Sequence, residues 1–245
     1  MHKKIKESLK FRYENYRYKH FTKSVEMPSY KYEILKEDGF YSQCGQDKWL
    51  KDKVFINKNE GVFVDIGAHD GVSFSNSYYF EKLGWTGIAV EPMPDVFERL
   101  SVARNCQTVN ACIASQTGKR TFRVIKGYSQ MLSGLVDEYD YRHLQRIENE
   151  MQKNGGSFTD IDVACINFNE LIQKYNVSHI DYLSIDIEGG ELSVLHSIDF
   201  DRVNISVIGV ENNYLDYRIP QFLYKKGFQL HAILGDEIYL RKDYF

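Results

Sequence analysis

The stretch Val62-Phe63-Val64-Asp65-Ile66-Gly67-Ala68-His69-Asp70-Gly71 runs an apolar segment into a turn with two glycines. Glycines at such a turn let backbone approach a ligand where a Cβ would clash. A helix starting behind the turn offers unpaired N–H groups to a carboxylate or phosphate. The spacing is G-x-x-x-G, which is neither the G-x-G-x-x-G of a dinucleotide site nor the G-x-x-x-x-G-K-[ST] of a P-loop. Asp65, two residues before the first glycine, would repel a pyrophosphate and suits the ammonium and sulfonium of S-adenosylmethionine. An ordinary tight strand–helix turn fits the same residues.

A second acid closes the next apolar run. Trp85–Val90 ends at Glu91, in the short motif Glu91-Pro92-Met93-Pro94. A strand-end acid placed there accepts the two ribose hydroxyls of an adenosine; a solvent-facing acid is the plainer reading. Further on, the run 181–187 ends in Asp186-Ile187-Glu188-Gly189-Gly190-Glu191, and the run 205–211 ends in Glu211-Asn212-Asn213. Asp186 is the residue expected beside an acceptor hydroxyl, with Glu211 and Glu188 as further catalytic carboxylates. Glu188 shares a strand face with Asp186 but sits where the strand ends and is free to swing away. Asp186 with Glu211 and Asn212 offers oxygen ligands only, the set a Mg²⁺-type ion takes. Asp186 and Glu188 equally fit acids at the start of the helix that follows.

At this point the sequence resembles a known family. The segment 62–100, with Ser42-Gln43-Cys44-Gly45-Gln46-Asp47 upstream and Asp181–Glu191 downstream, is similar to the FkbM-type S-adenosylmethionine-dependent methyltransferases, over roughly residues 41–241. The resemblance implies a Rossmann-like, seven-stranded class I methyltransferase sheet with helices on both faces. It also implies O-methylation of a sugar, a glycan or a similar small hydroxyl-bearing acceptor. The cofactor-binding set that follows is Gln46, Asp65, Gly67, Ala68, Gly71, Glu91, Pro92, Ala111 and Asp186. Ser42 and Asp47 also read as helix N-caps, and Ala111 as plain core. Metal-dependent sugar methyltransferases of similar fold carry a pair of acids at the two strand ends. Glu211-Asn212 departs from that pair, so Mg²⁺ dependence stays open.

The elements that must position these residues follow from the periodicity. Strands are expected at 62–66, 85–90, 108–114, 161–166, 181–187 and 205–211, with helices at 46–57, 73–83, 94–104, 168–176, 190–198 and 214–226. Alternation of this kind implies βαβ units and a mostly parallel, doubly wound sheet. The last runs, 228–234 and 237–241, suit antiparallel closing strands, and 121–125 is expected to pair with 108–114. The polar stretch 127–160, partly helical near 135–153, is long for a connection. It is the expected lid, with Tyr128, Ser129 and Ser133 as acceptor contacts and His69 as another. His143, His179, His196 and His231 have no partner at zinc-ligand spacing.

Residues 3–20 read as a helix, with Ile5, Leu9, Tyr13 and Tyr16 in one stripe. Residues 1–40 are expected to form a basic, aromatic segment ahead of a domain at 41–245. Net charge is −3 overall, but residues 1–24 carry +6, so the remainder is distinctly acidic. That acidity argues against nucleic acid as partner. So does the lack of a D/N-P-P-Y/F/W tetrapeptide, and of any lysine between Lys174 and Lys225 for a K-D-K-E tetrad. A nucleic-acid methyltransferase and an inactive docking module are the rival readings. A nicotinamide-dependent oxidoreductase fails on glycine spacing. No apolar run reaches membrane-spanning length and the start lacks a secretory h-region. With Cys44, Cys106, Cys112 and Cys165 at no metal or disulfide spacing, these signs place the chain in the cytoplasm, with free thiols. The basic segment fits a link to another domain or partner, or a solvated packing helix.

Overall fold

Val62–Ile66 forms β1 at the centre of a sheet in the computed structural model, which describes residues 14–244. On one side β1 pairs in parallel with β2 (Thr86–Val90), and β2 with β3 (Gln107–Val109). On the other side β1 pairs with β8 (His179–Ile185), and β8 with β9 (Asn204–Val210), again in parallel. β11 (Asp236–Arg241) is antiparallel to both β9 and the edge strand β10 (Phe228–Leu234). The order β10-β11-β9-β8-β1-β2-β3 gives the expected seven-stranded, mostly parallel sheet. Its direction of winding reverses between β1 and β8, where a crevice opens at the carboxyl ends of the strands.

Period-two alternation decides which face each strand residue feeds. Val64 and Ile66 join Ile88, Val90 and Leu183 against α7 (Phe168–Lys174), α8 (Glu191–Ser197) and α9 (Arg218–Lys225). Phe63, Tyr182 and Val207 point the other way, against Trp49 and Leu50 of α3 (Gln46–Lys53) and Phe80 of α4 (Tyr78–Lys82). Helices thus cover both faces, and strands wetted on neither side read as apolar runs. A further helix, α5 (Pro94–Ala103), buries Val96 and Leu100 beside β2 and β3.

Three expectations are corrected. The run 108–114 is not one strand. It breaks at Asn110, whose side-chain amide donates to the carbonyls of Glu91 (2.8 Å) and Pro92 (3.1 Å). Past the break, β4 (Cys112–Ala114) leaves for a second sheet, β4-β7-β5-β6. There β5 (Gly118–Lys126) pairs not with 108–114 but with β7 (Ser157–Asn167) and β6 (Gly134–Leu135). β7 starts earlier than its apolar stretch because its first residues are exposed and show no apolar run. The segment 73–77 is a loop rather than helix. Phe74 adopts a left-handed φ of 58°, and Arg104 holds the loop by donating to Gly71 O and Ser77 Oγ (both 3.0 Å).

α6 (Tyr141–Asn154) supplies the expected helix of the 127–160 stretch, capped by Asp140, which accepts from Arg142 N at 2.8 Å. Of the expected helix 3–20, residues 1–13 lie outside the described residues; α1 covers 14–21. The described part of the N-terminal segment packs onto the sheet across position 41. Tyr18, Leu35 and Phe40 are buried, and Glu26 bridges to Ala232. The four cysteines form no disulfide. Among the described residues no helix is long and apolar enough to cross a membrane.

Candidate active site

The first turn is built for close approach. Gly67 has φ +89°, and a Cβ placed on it would lie 1.7 Å from the carbonyl oxygen of Asp186. Its N–H and that of Ala68 both donate to Val90 O at 3.0 Å, and Asp186 N donates to Ile66 O at the same distance. The ends of β1, β2 and β8 are therefore stitched together at one point. Gly71 does not face the crevice; its carbonyl holds Arg104 and a Cβ there would strike Leu100. Arg104 is fully buried and pairs with Glu81 at 2.7 Å, so it acts as a peg behind the turn.

Glu91 is buried at the end of β2. One carboxylate oxygen accepts from Met93 N (2.8 Å), the other from His69 N (3.1 Å). Burial pushes its carboxyl up to about 7, against the pull of those two N–H groups. It lines a cavity of about 240 Å³ together with Pro92, Met93, Ala111 and Cys112. An adjoining cavity of about 110 Å³ is lined by Asp65, Ala68, Gln46 and Asp236, and Gly67, His69, Asp186 and Glu211 belong to both. The two form one elongated groove over the ends of β1, β2 and β8.

Asp65 accepts from Ser77 Oγ at 2.5 Å, and burial raises its pKa while Arg104 lowers it. Gln46 donates to Asp236 at 2.9 Å, and Asn76 donates to the same oxygen at 3.0 Å. Asp47 binds the 41–42 loop, accepting from Tyr41 N (2.6 Å) and Ser42 Oγ (2.5 Å). Neither Ser42 nor Asp47 is the N-cap of α3; Gly45 is, in a left-handed conformation. His69 also adopts a left-handed φ of 49°, and neither ring nitrogen has a hydrogen-bond partner.

At the other end of the groove Asp186, Glu188 and Glu211 place one carboxylate oxygen each within 4.8 Å of one another. Asn212, expected as the third oxygen ligand, turns away: its amide donates to Glu237 (2.8 Å) and its carbonyl accepts from Asp216 N (2.7 Å). Glu188 takes its place because its φ of 55° curls the chain back. Burial and the neighbouring acids Asp236, Glu188 and Glu191 raise the Asp186 pKa well above the usual carboxylate range. Glu211 is raised by burial and by Asp186 and Glu188. Glu188 is pushed up to about 7, with Arg146, 3.5 Å away, pulling it down. Carboxylates so crowded favour a cationic ligand or a shared proton.

Of the expected acceptor contacts, Ser133 lines the larger cavity but its hydroxyl already bonds Ile125 N (2.9 Å) and Gln130 O (2.6 Å). Ser129 donates to Glu150 at 3.1 Å, and Tyr128 is exposed. Asp236, Glu191 and Arg104 were not legible as site residues. Asp236 sits in what reads as an ordinary Gly-Asp hairpin turn, and Arg104 as a polar residue at a helix end.

A family model described as the methyltransferase FkbM domain matches residues 65–230. Among solved structures, a TehB-like S-adenosylmethionine-dependent methyltransferase from Corynebacterium glutamicum is similar at 11% identity and a TM-score of 0.36, over 86% of this chain and 91% of that one. No curated protein matches the chain. The matched segment holds the glycine turn, Glu91, Asp186 and Glu211 and spans most of the sheet, so the chain belongs to the FkbM methyltransferase family.

Proposed function

We propose that the chain transfers a methyl group from S-adenosylmethionine to a hydroxyl oxygen of a sugar, a glycan or a similar small acceptor. The observation that carries this reading is the groove itself. It has a single carboxyl held by two backbone N–H groups at the Glu91 end and a surplus of buried carboxylates at the other. That polarity matches a ligand with a nucleoside at one end and positive charge at the other.

In this reading Glu91 accepts from the ribose hydroxyls, and Pro92, Met93 and Ala111 pack the adenine. Gly67 leaves the gap through which the ligand crosses β1, with Asp65 and Asp236 facing its ammonium through the smaller lobe. The cofactor, when bound, supplies the activated methyl group. Asp186, Glu188 and Glu211 stand where the sulfonium and the acceptor meet. A carboxylate whose pKa lies near neutrality is a competent base for a hydroxyl proton. The same trio is an all-oxygen set of the kind Mg²⁺ takes, so a metal-assisted form of the reaction belongs to this proposal. Acid surplus at the reacting end disfavours a polyanionic acceptor such as nucleic acid.

Calorimetric titration with S-adenosylhomocysteine tests the reading. Micromolar binding is expected, weakened about 100-fold or more by Glu91→Ala, which removes two charge-assisted hydrogen bonds. Absence of binding, or binding indifferent to Glu91→Ala, overturns it. Repeating the titration with Mg²⁺, for the wild type and Asp186→Ala, decides the metal: a gain that Asp186→Ala removes supports it, and no gain removes it from the proposal.

A further inference from the structure

We infer that the acceptor reaches the reacting carboxylates through a separate groove walled by α6, α8 and the loop into α9, and that this groove selects an uncharged polyhydroxylated molecule. The inference rests on the methyltransferase reading above and deepens it. A cavity of about 440 Å³ lies on the far side of Glu188 and Glu211 from the Glu91 end. It meets the cofactor groove at Glu188, Gly189, Glu211 and Asn213, residues common to both. A molecule entering this way presents its end to the trio without crossing the adenosine lobe. In-line transfer demands that geometry, with donor and acceptor approaching from opposite sides.

The floor of this groove is unusual in its backbone. Glu188 is left-handed at φ 55°, and Gly189 and Gly190 follow at 132° and 90°. A Cβ on Gly189 would lie 3.3 Å from Glu138 O, so the loop between β6 and α6 presses directly on the turn. Strain concentrated at one largely buried carboxylate marks a position held for function. The buried Glu188 Oε2 has no hydrogen-bond partner. It faces His143 Nδ1 at 3.5 Å.

The walls are aromatic and polar. His143 is buried, and its Nε2 donates to the Leu132 carbonyl (3.1 Å), so its Nδ1 accepts from the Tyr214 hydroxyl at 3.1 Å. Tyr139 stacks on the His143 ring at 4.8 Å between centroids. Tyr214 is thereby fixed at the groove wall from the loop behind Glu211. Rigid aromatic surface beside hydrogen-bonding groups suits the C–H faces and hydroxyls of a sugar ring.

Charge sets the class. The cations of the walls are already spent: Arg142 pairs with Asp140 at 2.8 Å and Arg218 with Asp216 at 2.5 Å. Among the described residues, the carboxylates of Glu188, Glu191 and Glu211 have no such partner except Arg146 beside Glu188. A phosphorylated or carboxylated sugar would bring negative charge against that floor, and repulsion excludes it.

Saturation-transfer NMR on the full chain with S-adenosylhomocysteine bound tests this. The probes are the methyl glycosides of glucose, galactose, mannose and rhamnose, set against glucose 6-phosphate and glucuronate. Binding of at least one glycoside, no binding of either anion, and a loss of about tenfold in Tyr214→Ala at unchanged S-adenosylhomocysteine affinity are expected. A second variant, Ser193→Phe, fills the same groove from α8 and is expected to give the same loss without touching Tyr214. Preference for an anion, glycoside binding indifferent to both variants, or no glycoside binding at all overturns the inference. Those results leave S-adenosylhomocysteine binding intact, whereas loss of that binding in the wild type overturns the methyltransferase reading instead.

Discussion

At the β2 end of the groove one carboxyl, Glu91, is met by two backbone N–H groups; at the β8–β9 end three carboxyls, Asp186, Glu188 and Glu211, meet chiefly one another. Both ends are buried and both have raised pKa values, but for different reasons. At Glu91 burial is the chief cause, with a smaller push from the Asp95 charge, and the local hydrogen bonds oppose it. At Asp186 and Glu211 burial and mutual repulsion act together. The first end is organised before any ligand arrives. The second is electrostatically frustrated until positive charge arrives or a proton is retained. A site that holds a neutral nucleoside at one end and charge at the other divides its carboxylates in this way.

The sharpest test of that contrast is Asp186→Asn. It is expected to lower methyl transfer about 10²- to 10⁴-fold, the usual worth of a positioned base. It is also expected to raise the thermal midpoint of the ligand-free protein, because one member of a repelling cluster is gone. A fall in the midpoint breaks the comparison by showing that the cluster is stabilising. Gly67→Ala probes where the two ends are joined. The Cβ would collide with Asp186 O, so a loss of about 3 kcal/mol in denaturant unfolding, at the upper range of backbone strain, is expected together with weaker S-adenosylhomocysteine binding. Near-native stability in this variant shows that β1 and β8 do not need their close approach.

The smallest effect is the pH dependence. Glu91 and Glu188 move from an ordinary 4.5 to about 7 in the folded chain. Between those values the folded state keeps protons that the unfolded state releases, so stability is greatest below the ordinary value and declines as pH rises through about 7. The thermal midpoint of the ligand-free protein is expected to fall between about pH 5 and 8, and S-adenosylmethionine, with its two positive charges, to flatten that fall more than S-adenosylhomocysteine. Equal effects of the two ligands argue against a charge-seeking end.

Much of this arrangement is local, and so is visible in the residues. β1, β2, β8 and β9 are buried on both faces, which makes each an apolar run with a polar or glycine stop. An acid directly after such a run lies at a strand's carboxyl end, which placed Glu91, Asp186 and Glu211 at one edge. The turn at Gly67 is also local, since its positive φ favours glycine. The helix expected near 135–153 is α6, Tyr141–Asn154, whose start at the Asp140 cap lies six residues later than expected.

What the chain's order does not state is which distant strand pairs with which. The 108–114 run looks continuous because apolar residues serve either sheet. Only the Asn110 amide, reaching Glu91 and Pro92 from 19 and 18 residues away, divides it. β7 joins a sheet through backbone hydrogen bonds that its exposed first half does not advertise. Asn212 and Glu188 both lie within two residues of Glu211 or Asp186 in sequence. Glu237, brought in by β11, took the first, and a left-handed backbone returned the second. Asp236 entered by the same route. The sequence by itself determined the βα alternation and the acids that end its strands, because burial and turn chemistry act within a few residues. Long-range contacts set the second sheet, the place of the third carboxylate and the cavity beyond Glu188 and Glu211, because these depend on segments far apart in the chain, whose pairing no local period encodes.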